Sequence, residues 1–161
     1  MPSVLIVCTA NMCRSPMAEA ILKQLVAKRP DADQWYIESA GTWANYGSPA
    51  TILSQEVIKG MGMDISNHQS KPVTAELLQH FDLILTMEEQ HKEALTIEFK
   101  PFADRIYLLS EMIGLVESIP DPIGGELVDY QETARLLQKI LTGGLEKISQ
   151  LTSKQAPDKL S

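Results

Sequence analysis

The sequence is poor in the residues that build disulfide frameworks and metal sites. It has only two cysteines, and its three histidines stand apart with no spacing typical of zinc. A disulfide framework is therefore excluded, and we expect neither a metal nor a cofactor. Positive charge is also scarce, because 14 Lys and Arg face 21 Asp and Glu, for a net charge of −7. That balance argues against a nucleic-acid partner, since phosphate backbones attract positively charged surfaces.

Long apolar runs are absent as well. No stretch approaches the length of a membrane-spanning helix, and the first residues lack the basic and apolar segments of a signal peptide. We therefore expect a cytoplasmic monomer without a membrane partner. The Gly-x4-Gly-Lys-Ser/Thr pattern of ATP-binding loops does not occur. The 161 residues suffice for one domain, expected at 1–151, followed by a polar C-terminal tail at 152–161.

The chain does carry one dense motif near its N-terminus. Its residues are Cys8, Thr9, Ala10, Asn11, Met12, Cys13, Arg14 and Ser15. The apolar residues 4–7 before it predict a buried strand, and apolar side chains at helical spacing predict a helix over 15–29. A loop between a strand and a helix favours anions, because a helix N-terminus offers unpaired N–H groups and partial positive charge. We therefore interpret this segment as a phosphate-binding loop.

Strand-like and helix-like segments alternate along the rest of the chain. Further strands are predicted at 35–37, 82–86 and 105–109, and further helices at 50–61, 72–78, 88–99 and from 127 onward. The pair Gly143-Gly144 interrupts the last helical pattern, which leaves open whether that helix ends there. The alternation predicts an α/β fold, a doubly wound open parallel sheet of about four strands with helices on both faces. The phosphate-binding loop would then lie at the carboxyl edge of the sheet, where such folds bind ligands.

The side chains of the loop suit phosphoryl transfer. Cys8 is the expected nucleophile, because a helix N-terminus stabilises a thiolate, and a thiolate can attack phosphorus to give a phosphocysteine. Arg14 can bind two phosphate oxygens at once. Ser15 is expected to cap the helix, to hydrogen-bond the Cys8 sulfur, or to do both. Asn11 would order the loop through hydrogen bonds from its side chain to the backbone.

Two further residues extend this interpretation. Asp121 lies in a predicted loop at the same edge of the sheet and could protonate the departing oxygen, then activate water. Asp-Pro is also a common turn dipeptide, which is the alternative. Cys13 lies at the other end of the loop from Cys8. It could capture an oxidised Cys8 in a disulfide, or it could simply pack beneath the loop.

The chain resembles the low-molecular-weight protein tyrosine phosphatase family from residue 4 to about residue 141. The resemblance rests on the Cys-x5-Arg-Ser-Pro loop, on Ser39-Ala40-Gly41-Thr42, on residues 66–71, on residues 81–87 and on the late Asp121-Pro122. It implies a protein phosphatase that hydrolyses phosphotyrosine in a phosphorylated protein or peptide through a phosphocysteine intermediate. By this resemblance Cys8 is the nucleophile, Arg14 binds phosphate and Asp121 is the acid.

The resemblance further implies a hydrogen-bond network that holds the loop open. Its members would be Asn11, Ser15, Ser39 and His68. Relatives often carry a glycine where this chain has Ala10. If that position requires a positive φ, the alanine is strained.

A substrate cleft is expected around the loop, lined by Met12, Trp43, Tyr46 and Ile123. Eukaryotic members place aromatic residues directly after Asp-Pro, whereas Ile123 and two glycines follow here, so one wall is less aromatic. Trp43 and Tyr46 could form the other wall around a flat ring, with partial core packing as the alternative.

The chain also resembles the bacterial branch that includes protein arginine phosphatases, through Asp121-Pro122-x-Gly124-Gly125 and Glu89-Gln90-His91-Lys92. In that branch a threonine at the position of Met12 favours phosphoarginine. The long apolar Met12 favours phosphotyrosine, and phosphoarginine is the alternative. An arsenate reductase-type oxidoreductase is less expected, because such enzymes need cysteines outside the loop. A non-catalytic phosphate-binding module is also less expected, because all three catalytic candidates are present.

Overall fold

A four-stranded parallel sheet forms the centre of the computed structural model, which describes the backbone of residues 1–160 and the side chains of residues 1–153. Its strands are β1 (Ser3–Cys8), β2 (Tyr36–Gly41), β3 (Leu83–Thr86) and β4 (Ile106–Leu108). They lie in the order β2-β1-β3-β4, and every neighbouring pair is parallel. The predicted open parallel sheet of about four strands is confirmed.

Five α-helices accompany the strands in the part of the chain described. They are α1 (Arg14–Val26), α2 (Ile52–Gly60), α3 (Ala75–Leu78), α4 (Glu89–Glu98) and α5 (Leu127–Leu160). Short 3₁₀ helices occupy Ala32–Gln34, Lys100–Arg105 and Leu109–Ile113. The predicted helix over 72–78 is shorter than expected, because Pro72 pairs with Gly41 at the edge of the sheet and the chain turns helical only after Thr74.

The strands bury both of their faces, since successive side chains point to opposite sides of the sheet. Val4 and Ile6 of β1 pack beneath α1 and α5. Leu5 and Val7 point the other way and join a second core that includes Leu95 of α4. A parallel sheet covered on both sides requires such continuously apolar strands. The helices cover the two faces of the sheet, so the carboxyl edge of the sheet is occupied by loops.

The pair Gly143-Gly144 lies inside α5 and does not end it. A Cβ atom at Gly144 would lie 2.5 Å from the Cβ of Met112 and 3.1 Å from its carbonyl oxygen. The glycine therefore lets α5 approach the 3₁₀ helix Leu109–Ile113 at backbone distance. Glycine disfavours a helix interior by about 1 kcal/mol relative to alanine, so close packing is the reason for it here.

The C-terminal tail was expected to begin at Thr152. The backbone of α5 continues through this point, and Thr152 itself is buried. The side chains from residue 154 onward, and all of residue 161, lie outside the described residues, so the domain boundary at 151 stays a prediction. In the part of the chain described, no helix has the length and apolar character needed to cross a bilayer.

Candidate active site

The phosphate-binding loop follows the carboxyl end of the interior strand β1. Cys8 is the last residue of β1 and is almost fully buried, and α1 begins at Arg14. Beside it, β2 ends at Gly41, which pairs with Cys8. A Cβ atom at Gly41 would collide with the Thr9 carbonyl oxygen and would lie 3.0 Å from the Asn11 amide nitrogen. Only glycine therefore allows β2 to approach the loop this closely.

The turn of the loop is made at Asn11. Its φ is 59°, the only positive φ outside glycine among the residues described. Asparagine tolerates this left-handed conformation better than most residues do. The strain considered for Ala10 is therefore absent, because the left-handed turn falls one residue later.

The carbonyl groups of the loop bond outward to neighbouring segments. The Met12 oxygen accepts from the Thr51 amide at 2.9 Å, and the Asn11 oxygen accepts from His68 Nε2 at 2.7 Å. The oxygens of residues 8 and 9 accept from the amides of residues 42 and 43, each at 2.9 Å. Segments following β2, preceding α2 and preceding α3 thus hold the loop from outside.

Unlike the carbonyl groups, the amide groups of the loop are not hydrogen-bonded to neighbouring segments of the described chain. Within the described part of the chain, the N–H groups of residues 9–13 donate to no protein acceptor. Buried backbone donors are rarely left unpaired. Together with the N-terminus of α1, they form a cradle of N–H groups suited to an anion.

A buried side-chain network joins the cysteine to the sheet. Cys8 Sγ lies 3.0 Å from Ser15 Oγ, so the hydrogen bond expected between them is present. Asn11 Nδ2 donates to Ser15 Oγ at 2.7 Å and to Ser39 Oγ at 2.9 Å. The Ser39 hydroxyl in turn donates to a carboxylate oxygen of Glu19 at 2.6 Å. Because Ser15 accepts from Asn11, its own proton is available to the sulfur, an arrangement that suits a thiolate.

The capping role considered for Ser15 is wrong. The N-cap of α1 is Cys13, and no side chain caps it. The Ser15 hydroxyl instead faces Cys8 and Asn11. All four predicted network members, Asn11, Ser15, Ser39 and His68, are brought together around the loop.

Arg14 is nearly fully buried, with 1 % of its side chain exposed. Its Nη1 donates to the Ile119 carbonyl oxygen at 2.8 Å. Carboxylate oxygens of Glu88 and Asp121 lie 3.3 Å and 3.4 Å from the guanidinium. A buried guanidinium between two carboxylates is held in place and keeps its charge at the loop.

Asp121 contacts both the turn that follows it and the arginine of the loop. Its Oδ1 accepts from the Ile123 amide at 3.1 Å, as in a turn, and its Oδ2 lies 3.4 Å from Arg14 Nη2. About a third of its side chain is exposed. The carboxyl group therefore reaches the loop from the partly open side of the site.

Three residues that sequence reasoning did not single out as site residues also contact the site. Glu88 precedes α4, and His91 lies in its first turn, 5 % exposed, with Nε2 2.8 Å from Thr9 Oγ1. Burial lowers the pKa of His91. The spacing of Glu88 and His91, three residues apart at a predicted helix start, could have signalled a pair. The third residue, Tyr130 of α5, gave no sequence signal.

Cys13 is buried and faces away from solvent. Its Sγ lies 3.6 Å from the Tyr130 hydroxyl and 3.7 Å from Thr51 Oγ1. Burial raises the pKa of Cys13, and the hydrogen bonds from these hydroxyls oppose that effect only in part. Both Cys8 and Cys13 are free thiols.

The residues predicted to line the cleft lie on loops around the site. Trp43 is 86 % exposed, Tyr46 75 % and Ile123 57 %. Such exposure excludes core packing for the two aromatic residues. Trp43 is tied to the loop through its amide hydrogen bond to Thr9, whereas Met12 belongs to the loop itself and is partly buried. In the described part of the chain, no group of three His, Cys, Asp or Glu side chains could hold a metal ion.

Known proteins are similar to this chain in both sequence and architecture. Residues 3–155 match the family described as low molecular weight phosphotyrosine protein phosphatase. A protein-arginine-phosphatase of Bacillus subtilis (strain 168) is 35% identical over 139 residues, covering 86% of this chain and 91% of the relative. The low molecular weight protein-tyrosine-phosphatase Ptp of Acinetobacter johnsonii is 36% identical over 137 residues, covering 84% of this chain and 90% of the relative.

Solved structures are similar over nearly the whole chain. The low molecular weight protein tyrosine phosphatase from T. tengcongensis has a TM-score of 0.83 at 37% identity, covering 91% of this chain and 99% of that one. A mutant of the YwlE arginine phosphatase with a phosphorylated active-site serine has a TM-score of 0.84 at 31% identity, covering 91% and 95%.

Proposed function

Because the chain belongs to the low-molecular-weight phosphotyrosine protein phosphatase family, we propose that it hydrolyses phosphotyrosine in proteins through a phosphocysteine on Cys8. The observation that carries the proposal is the cradle of unpaired amide groups at residues 9–13, with Cys8 at one end and Arg14 at the other. Such a cradle places anion donors, positive charge and a nucleophile around one phosphoryl group.

In the first step the Cys8 thiolate attacks phosphorus and forms a sulfur–phosphorus bond. The bond from phosphorus to the tyrosine oxygen breaks, and Asp121 gives that oxygen a proton as it leaves. The Ser15 hydroxyl, 3.0 Å from the sulfur, supports the thiolate before attack. Arg14 and the loop amides neutralise charge on the transferring group.

In the second step water attacks the phosphocysteine. Asp121, now ionised, accepts a proton from this water as the sulfur–phosphorus bond breaks. Inorganic phosphate leaves and the Cys8 thiolate returns. The relative with a phosphorylated active-site serine supports a covalent route of this kind.

The choice of phosphotyrosine is supported by the rim of the site. Met12 presents an apolar side chain at the loop, and the exposed Trp43 and Tyr46 can contact a phenyl ring. Phosphoarginine is the second candidate. The glycines after Ile123 leave that side of the rim without an aromatic residue, and the relative named protein-arginine-phosphatase supports this reading too.

The substrate is tested with two peptides of the same sequence, one carrying phosphotyrosine and one phosphoarginine. We expect a higher kcat/KM for phosphotyrosine, and a shift of the ratio towards phosphoarginine in Met12→Thr. Met12→Leu, which keeps an apolar side chain, is the matched control. A tenfold shift needs only about 1.4 kcal/mol of differential transition-state binding. A wild-type preference for phosphoarginine would overturn the substrate but not the mechanism.

The nucleophile is tested separately with Cys8→Ser. We expect turnover to be lost while inorganic phosphate still binds and the circular dichroism spectrum is unchanged. Serine keeps the shape of the site, but its hydroxyl does not ionise as a thiol does. Substantial turnover by this variant would exclude Cys8 as the nucleophile.

We also infer a cytoplasmic, monomeric enzyme without a nucleic-acid partner. The net charge of −7 supports the last point, because it repels phosphate backbones. Light scattering at working concentration checks the monomer, and a retarded band with DNA or RNA at low salt would contradict the absence of a nucleic-acid partner.

A further inference from the structure

A partly buried polar cluster connects α4 to the phosphate-binding loop, and none of the catalytic steps uses it. We call Thr9, Glu88 and His91 the α4 cluster. His91 Nε2 lies 2.8 Å from Thr9 Oγ1 and 3.2 Å from Glu88 Oε2. The same Glu88 oxygen lies 3.3 Å from Arg14, and Arg14 Nη2 lies 3.4 Å from Thr9 Oγ1. Glu88 and His91 therefore contact the loop at two residues, Thr9 and Arg14.

The surroundings decide which nitrogen of His91 carries the proton. Nδ1 is buried and has no hydrogen-bond partner among the described residues, whereas Nε2 faces two oxygen atoms. A proton on Nδ1 would be a buried donor without an acceptor, which carries the full desolvation penalty. The proton therefore belongs on Nε2, and Nδ1 keeps its lone pair.

This tautomer also fixes the direction of the Thr9 hydroxyl. With His91 Nε2–H and Arg14 Nη2 both donating to Oγ1, its two lone pairs are occupied. The Thr9 proton then points away from both donors. The Glu88 carboxylate accepts from Arg14 Nη2 at 3.3 Å.

We propose that His91 is a positioning residue for phosphoryl transfer: the Nε2–H of its neutral imidazole fixes Thr9, and Thr9 in turn fixes Arg14. The inference rests on the proposed phosphatase reaction, because it assigns His91 to the arginine that binds the phosphoryl group. It adds a residue outside the loop that acts on the loop without touching the substrate.

Charged groups around His91 act in opposite directions. The positive charge of Arg14 disfavours a second proton on the imidazole, while the carboxylates of Glu88 and Asp121 favour it. Burial is the largest influence and lowers the pKa of His91, which keeps the ring neutral near neutral pH. Protonation in acid would add a positive charge beside Arg14 and a buried Nδ1–H without an acceptor.

The test compares two replacements of His91. His91→Gln keeps an N–H donor at similar reach, whereas His91→Leu removes it and keeps the bulk. We expect His91→Leu to weaken competitive inhibition by inorganic phosphate and to lower kcat/KM about tenfold to a hundredfold, as misplaced charge does. His91→Gln should recover most of both quantities. Equal losses in the two variants would show a merely structural role and overturn the proposal.

A matched control separates positioning from loosening of α4. Leu95→Ala, one turn further along α4 in the second core, should lower stability to urea but leave phosphate inhibition unchanged. A double-mutant cycle between His91→Leu and Thr9→Val should be strongly non-additive, because both changes break the same contact. Additive effects would overturn the proposed route through Thr9.

A spectroscopic measurement tests the tautomer without turnover. In ¹⁵N NMR of the imidazole at neutral pH, we expect a protonated Nε2 and an unprotonated Nδ1. The opposite tautomer, or a charged ring, would overturn the proposal. If the wild type hydrolyses no phosphopeptide, the proposed function fails on that result alone, while the phosphate-binding and NMR measurements still test His91.

Discussion

Replacement of Asn11 by alanine removes three side-chain hydrogen bonds of the loop at once. Asn11 is fully buried, and its Nδ2 donates to Ser15 Oγ at 2.7 Å and to Ser39 Oγ at 2.9 Å. Its Oδ1 accepts from the Lys71 amide at 3.0 Å. Its φ of 59° is also one that alanine adopts with difficulty. Asn11→Ala therefore removes three hydrogen bonds and adds backbone strain.

The size of the effect follows from these two terms. Each buried hydrogen bond contributes roughly 0.5–1.5 kcal/mol net, and the left-handed conformation costs alanine about 1–2 kcal/mol. Together they predict a loss of about 2.5–6.5 kcal/mol in the free energy of unfolding. Domains of this size are stable by about 5–15 kcal/mol. The loss is a large share of that stability, and the kcat/KM of the variant should fall because the loop loses its internal support.

Two controls separate the backbone term from the hydrogen bonds. Asn11→Gly removes the same three bonds but accepts the positive φ, so it should be about 1–2 kcal/mol more stable than Asn11→Ala. Ser39→Ala removes one of the three bonds together with the bond from Ser39 to Glu19, and it should lose about 1–3 kcal/mol. Urea unfolding followed by tryptophan fluorescence measures all three variants. The reasoning would be refuted if the free energy of unfolding of Asn11→Ala lay within about 1 kcal/mol of the wild-type value, or if Asn11→Ala were as stable as Asn11→Gly.

Four further outcomes are expected. Asp121→Ala should slow the hydrolysis of substrates with poor leaving groups far more than that of substrates with good ones. An unchanged dependence of log kcat on leaving-group acidity would mean that Asp121 only stabilises the turn. Hydrogen peroxide oxidises the Cys8 thiolate to a sulfenic acid, which the Cys13 thiol can capture as a disulfide with loss of water. After peroxide treatment, dithiothreitol should therefore restore more activity in the wild type than in Cys13→Ser. Equal recovery of activity in the two proteins would exclude this role for Cys13. Gly144→Ala should lower the free energy of unfolding by ~1–3 kcal/mol although alanine favours helices, and a more stable variant would mean that the contact with the 3₁₀ helix relaxes freely. Because the pKa of His91 lies below its ordinary 6.5, the unfolded state binds a proton more readily than the folded state, so the free energy of unfolding should fall as pH drops below 6.5. If the free energy of unfolding of His91→Gln has the same pH dependence as that of the wild type, another group causes the fall.

Much of the fold could be predicted because its signals are local. Residues 4–7 and 83–85 are continuously apolar, which is what strands buried on both faces require. Their alternation with helices led to the parallel sheet, and the sheet placed Cys8 at its carboxyl edge. The family resemblance named the members of the loop network, which the structure brings together.

Other features could not be read from the sequence because they depend on contacts between distant residues. The Gly143-Gly144 pair is unfavourable within a helix when judged locally, and only its approach to Met112 explains it. The left-handed turn falls at Asn11 because its side chain is bonded in that conformation. The pairing of His91 with Thr9 joins residues 82 positions apart, and no periodicity reports such a pair.

The outward hydrogen bonds of the phosphate-binding loop have a consequence for the order of folding. The bonds that shape the loop come from residues 28, 57 and 60 positions further along the chain, and Arg14 is held by a carbonyl 105 positions away. Closing such long loops is entropically costly until the rest of the chain is in place. A chain emerging from the ribosome would carry its cysteine and arginine from the start yet remain inert until its last third had docked. Recovered activity during refolding therefore marks the end of folding, rather than the local assembly of eight consecutive residues.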